Sequence, residues 1–192
     1  MSKVSGALAA LVAAAALTGC GGPAEAPSSS STTDTPVITG DPAGYNTADV
    51  TFAQQMVDRH RQAIALTDVV PQRSTNADLT ALAQRIGAQQ QDQINVLNVF
   101  LVQWDQPPKM GAAMGPGGQP PAVVAQLESL QGAAFDRLWL QSMIDEHRKS
   151  IAVADTELAS GANVDAKSMA TMIVSTQTAE LNQMTTMLEG TP

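Results

Sequence analysis

MVDRHRQAIA, Met56 to Ala65, decides the fold, because a second stretch, MIDEHRKSIA, Met143 to Ala152, repeats its frame of Met, Asp, His, Arg, Ile and Ala. The chain has two histidines, His60 and His147, and the two stretches hold both. They lie 87 residues apart, and the same offset continues without a gap: Ile86 falls on Ile173, Gln90 on Gln177, Ile94 on Leu181, Asn95 on Asn182 and Leu101 on Leu188. Matching of this length spans two successive helices and implies an internally duplicated unit.

Working outward, Phe52, Met56, His60, Ala63, Ile64 and Thr67 recur at helical spacing and share one face. The spacing predicts a first helix that starts at Asn46 or Thr47, where a side chain can cap free N–H groups, and stops before Pro71. A second helix is expected from a cap at Asn76 to about Trp104, with Leu79, Leu82, Ile86, Ile94, Leu97, Leu101 and Trp104 as its apolar stripe; Pro107 and Pro108 end it.

The Gly/Pro-rich run PPKMGAAMGPGGQPP, Pro107 to Pro121, forms a crossover. A short helix, Ala122 to Leu130, leads into a third long helix bearing Phe135, Trp139, Met143, His147, Ile151 and Ala154, which stops near Gly161. The fourth begins around Asn163 to Asp165 and ends at Gly190, with Met169, Ile173, Leu181, Met184 and Leu188 inward. The fold class is therefore all-α: a four-helix bundle of two duplicated helical hairpins joined by a long crossover, with the two histidine helices as equivalent partners.

The N-terminus reads differently. Lys3, an apolar run from Ala7 to Leu17, and Leu17-Thr18-Gly19-Cys20 form a secretory signal ending in a lipobox, so residues 1–20 are expected to be a lipoprotein signal with Cys20 as the lipid attachment site. As the only cysteine, Cys20 leaves no disulfide within one chain and no cysteine-based metal site. Residues 21–45, rich in Pro, Ser, Thr and Gly, read as a flexible tether, and residues 46–192 as the bundle domain. These features predict an extracytoplasmic protein held at the membrane by acyl chains. A net charge of −8 argues against a nucleic-acid partner.

Met and His four residues apart on a helix project from the same side. Met56 with His60, and Met143 with His147, offer a soft thioether beside an imidazole, a donor set that suits copper. The alternative is a structural or interaction module in which both imidazoles are core hydrogen-bond partners, satisfied by Gln90 and Gln177. A di-iron site needs Glu-x-x-His; Val57 and Ile144 stand where the glutamates would be. No nucleophile set or phosphate-cradling loop appears, so no catalytic residues are expected and the chain is not read as an enzyme. Met110 and Met114 are secondary soft-ligand candidates. Asp58, Asp145, Arg61 and Arg148 read as solvated or salt-bridged positions.

Three blocks together resemble the domain of unknown function 305 family: Phe52 to Ala65; Ile86, Gln90, Ile94, Leu101, Trp104 and Pro107; and Gly132-Ala-Ala-Phe-Asp136 leading to Met143 and His147. The resemblance covers roughly Thr47 to Leu188 and implies a ferritin-like helical bundle, secreted or lipid-anchored, in a family some of whose members bind copper through Met and His. Where that family has paired histidines, this chain has His60-Arg61 and His147-Arg148. Its crossover reads Met114-Gly-Pro-Gly-Gly118 in place of a Met-rich run.

Overall fold

The computed structural model describes residues 44–106 and 122–191. The signal, Cys20, most of the tether, Met110 and Met114 lie outside the described residues. Those described form helices α1 (Thr47–Asp68), α2 (Ala77–Gln103), α3 (Ala122–Glu128), α4 (Gly132–Ser160) and α5 (Val164–Glu189), with a 3₁₀ turn at Val70–Gln72. No strand occurs among them.

The helix starts follow from the side chains that satisfy their free N–H groups. Asn46 accepts from the N–H of Ala48 at 2.7 Å, while Asp49 reaches back to accept the N–H of Asn46 at 2.6 Å, a reciprocal capping box. Asn76 and Asn163, 87 residues apart, cap α2 and α5 in the same way, each accepting from the N–H groups two and three residues on. Pro71 falls in the 3₁₀ turn between α1 and α2, and Gly132 opens α4 with φ of 58°, a left-handed value that suits glycine. Its N–H donates to the carbonyl of Arg73 at 2.9 Å, which ties the start of α4 to the α1–α2 turn.

The contacts fix the architecture. α1 pairs with α2 and α4 with α5 as hairpins, and α1 packs on α4 to join them, while α2 and α5 meet only slightly. Going along α1, Asn46 donates to the carbonyl of Ser160, Arg59 reaches Glu146, and the carbonyl of Leu66 accepts from Trp139. Partner numbers fall on α4 as they rise on α1, so the two central helices run antiparallel. The result is an all-α bundle with the histidine helices at its centre.

Two apolar clusters fill the interior. One gathers Ala63, Leu66, Leu79, Leu82, Ile86, Phe135, Trp139, Leu140, Met143 and Met184; the other gathers Phe52, Met56, Val57, Ile94, Leu97, Leu101, Ala154, Met169 and Ile173. Every long helix contributes to both clusters, so burial of its stripe is the main force holding the bundle closed. The expected inward residues are buried, apart from Ile64, Ile151, Leu181 and Leu188, which are partly covered. Tyr45, placed by its composition at the end of the tether, stacks on Trp104 with centroids 5.2 Å apart and donates its hydroxyl to the Trp104 carbonyl at 2.9 Å.

Candidate metal centre

Between the two apolar clusters runs a buried polar layer. On each helix the residues separating one cluster from the other are polar: His60 on α1, Gln90 and Gln93 on α2, Glu146, His147 and Ser150 on α4, Gln177 and Glu180 on α5. His60 and His147 are fully buried, as are Met56 and Met143, which belong to opposite clusters. All four sequence-predicted candidates are therefore buried on the two central helices.

Their order along the axis follows from the register. With Arg59 level with Glu146 and helices rising 1.5 Å per residue, His60 and His147 sit about 3 Å apart in level, and Met56 and Met143 about 9 Å apart on opposite sides of them. Each methionine is about 3 Å in level from the histidine of the other helix and about 6 Å from its own. The i, i+4 pairs read from the sequence are thus crossed by pairs between the helices.

The layer is short of hydrogen bonds. Both ring nitrogens of His60, Nδ1 of His147, both amide atoms of Gln177, Oε1 of Gln90, Oε1 of Gln93 and Oε1 of Glu180 have no partner. Each such group buried without a partner costs about 1–3 kcal/mol. The expectation that Gln90 and Gln177 satisfy the imidazoles is corrected: His147 Nε2 meets Glu180 Oε2 at 2.9 Å, and Gln93 is the residue beside His60. Gln93 and Glu180 are themselves 87 apart. They stand one turn beyond the glutamines that the sequence pointed to, where the rotation of α2 and α5 aims their side chains at the rings.

Burial drives the His60 imidazole down to about 3; Gln93 partly opposes that, and the neighbouring His147 adds to it. His60 is therefore neutral across the physiological range and keeps a free lone pair. Beside it, Arg59 Nη1 donates to Glu146 Oε2 at 3.3 Å, and Ser150 donates to Glu146 Oε1 at 3.2 Å. Burial raises the Glu146 carboxyl, with Arg59, Ser150 and Lys149 partly offsetting it. The other repeated charges stay outside, as expected: Asp58 pairs with Arg61 at 3.8 Å, Asp145 pairs with Lys149 at 2.5 Å, and Arg148 is exposed.

A second buried polar site, missed by sequence reading, closes one end of the bundle. Asp49 accepts the backbone N–H groups of Asn46, Ala162 and Asn163. Burial works to raise its carboxyl, but those donors and the Glu157 acid outweigh burial and hold it below its ordinary value. Glu157, 1 % exposed, faces it. Burial first, then the hydrogen bond with Asp49 and its charge, push Glu157 up to about 8, with Lys167 only partly offsetting them. A groove of about 500 Å³ along α1 and α4, lined by Phe52, Arg59, Lys149, Val153 and Glu157 among others, borders this end.

Donor chemistry limits what the central layer could hold. Among the described residues, no three His, Cys, Asp or Glu side chains gather around one point, so a site built wholly from such ligands has no basis here. Two imidazoles flanked by two thioethers form a soft set, and the unpartnered ring nitrogens leave lone pairs for it.

No curated protein matches the chain. Among solved structures, a DUF305 fragment from Deinococcus radiodurans has 28% identity, with 75% of this chain and 97% of that one covered at a TM-score of 0.67. A DUF305 protein from Streptomyces coelicolor has 26% identity, with 74% and 93% covered at 0.66. CopM in its Cu(I)-bound form shares the fold at 23% identity, with 74% and 96% covered and a TM-score of 0.64. The model of the domain of unknown function (DUF305) matches residues 49–188, nearly the whole of the helical body and both histidine helices. With its fold, its paired motifs and that match in agreement, the chain belongs to the DUF305 family.

Proposed function

We propose that this chain binds copper, as Cu(I), in the layer between its two apolar clusters, with His60 and His147 as nitrogen ligands and Met56 and Met143 as sulfur ligands, and that it buffers or carries the ion without catalysing a reaction. The observation that carries this reading is a set of buried imidazole nitrogens without a partner in the protein, Nδ1 and Nε2 of His60 and Nδ1 of His147, on the packed helices α1 and α4. Coordination would supply the partner that the protein does not. A neutral imidazole and a thioether suit a soft monovalent ion, because neither asks the interior to hold further charge. CopM has been solved with Cu(I), Cu(II) and silver, so this fold can house such ions; the reading for this chain rests on its own four side chains.

The same reading places the protein outside the cytoplasm, anchored by lipid on Cys20, with the Pro/Ser-rich stretch as a tether and the bundle as an internally duplicated unit. No helix among the described residues is long and apolar enough to cross a membrane. Replacing Cys20 with Ser should abolish labelling by radioactive palmitate and release the protein from membranes; retained labelling would dismiss the anchor.

A second reading, a structural or interaction module, draws on one observation: His147 already bonds Glu180, as a core histidine would. A competition titration with a chromophoric Cu(I) chelator separates the two. The full-length protein should withdraw Cu(I) from the chelator, and a variant with His60→Ala and His147→Ala should not. Equal competition by parent and variant, or none by either, would give the module reading the field.

A further inference from the structure

The two imidazoles of the layer are chemically unequal. Positions 93 and 180 are 87 residues apart and correspond in the two hairpins; both are buried, at 5% and 6% exposed. On α2 the position holds an amide, Gln93, and on α5 a carboxylate, Glu180. Glu180 Oε2 lies 2.9 Å from His147 Nε2, whereas the residue beside His60 at the corresponding position is the amide of Gln93.

An amide can donate or accept, so Gln93 does not dictate which nitrogen of its neighbour carries the proton. A carboxylate can only accept. Its bond therefore puts the ring proton of a neutral His147 on Nε2 and leaves Nδ1 as a bare lone pair, and Nδ1 is the atom that finds no partner in the protein. Outer carboxylates of this kind fix the tautomer and orientation of ligating histidines and raise their basicity.

Charge follows the same line. The other carboxylate of the layer, Glu146, is engaged by Arg59 and Ser150. Glu180 is left with one oxygen on His147 and one without a partner.

We propose that Glu180 is the positioning residue of this site: it holds His147 as the Nε2–H tautomer and so keeps the Nδ1 lone pair available to the ion. This rests on the copper reading above. The two can fail separately.

The test uses full-length protein and Glu180→Gln, which keeps size and hydrogen-bonding capacity while removing the charge. Two-bond proton–nitrogen NMR of the metal-free parent at neutral pH should show His147 protonated at Nε2 alone, and the variant should show a mixture of tautomers. Competition titrations with Ag(I) should show the variant weaker by about 10–100-fold. A parent His147 protonated at Nδ1, or at both nitrogens, overturns the proposal without using metal at all. So does a variant that binds Ag(I) as tightly as the parent. A parent that binds no Ag(I) or Cu(I) overturns the copper reading and, with it, the role of Glu180 toward the ion.

Discussion

Replacing Glu157 with Gln should make the protein more stable at alkaline pH and leave it nearly unchanged at acid pH. In the folded chain, burial and the Asp49 carboxylate raise Glu157 from an ordinary 4.5 to about 8. The folded state therefore holds a proton that the unfolded state releases. Below 4.5 both states are protonated and there is no penalty; as pH rises from 4.5 toward 8 the unfolded state is progressively favoured, and above 8 the loss is complete. At about 1.4 kcal/mol per pKa unit, the ceiling is about 5 kcal/mol. The groove borders Glu157, where solvent screens part of this effect, so about 2 kcal/mol is the expected size. The amide introduced by Glu157→Gln keeps an N–H facing Asp49 and cannot ionise. Asp49 itself, with its lowered carboxyl, contributes stability that is lost only as pH falls below its ordinary 3.8. Urea unfolding followed by tryptophan fluorescence at about pH 4 and about pH 8.5 should show parent and variant alike at the first and the variant ahead by that margin at the second. Parallel stability profiles across this range would refute the reasoning.

Three further changes test other parts of the structure. His60→Leu removes two buried nitrogens that have no partner, so in the presence of a chelator its melting temperature should rise, by about 1 kcal/mol in stability, while Cu(I) binding falls; a lower melting temperature would mean that the ring is satisfied in the metal-free protein. Trp139→Phe loses the Nε1–H bond to the Leu66 carbonyl at 2.8 Å and part of a fully buried ring, and chemical unfolding should register about 2–3 kcal/mol. Gly161→Ala places a Cβ 2.1 Å from Glu157 Oε1 and 2.8 Å from the Glu157 carbonyl, so the helix end must shift; a loss above about 1 kcal/mol in the same unfolding assay is expected.

Much of this structure is legible in the sequence because it is local. Asn46, Asn76 and Asn163 announce helix starts by what their side chains can accept, and Pro71 and Gly161 mark stops. The apolar stripes are periodic, so their burial follows once the helices exist. The partners of the histidines are a different matter. Gln90 and Gln177 are identical across the 87-residue offset and so draw the eye, whereas Gln93 and Glu180 differ in type and are hidden by that difference. The same offset that pairs Gln90 with Gln177 pairs Gln93 with Glu180 three residues on. Which of the two pairs faces the rings depends on the rotation of α2 and α5, which only tertiary contacts set. The Asp49–Glu157 closure is only half traced by the offset: 87 residues from Asp49 stands Asp136, but 87 residues from Glu157 stands Val70. It is a contact between distant segments, made where the start of α1 meets the end of α4.

The central layer is costly to keep if it binds nothing. Eight buried polar atoms on His60, Gln90, Gln93, His147, Gln177 and Glu180 lack partners. Each costs about 1–3 kcal/mol, in a class of proteins whose whole stability is about 5–15 kcal/mol. The apolar clusters on either side show that these helices can fill a core with Leu, Ile, Phe and Met, and continuing that pattern through the layer would remove the cost. What replaces it is instead polar on all four long helices, includes two buried imidazoles, and has a buried thioether in the cluster on either side. Such a layer becomes favourable when something enters that accepts lone pairs and carries positive charge. Metal-free protein should therefore be less stable than its core area suggests. Adding Cu(I) or Ag(I) should raise its melting temperature in proportion to the logarithm of free ion above the dissociation constant. An ion that leaves the melting temperature unmoved at saturating concentration would show that the layer is satisfied by water alone.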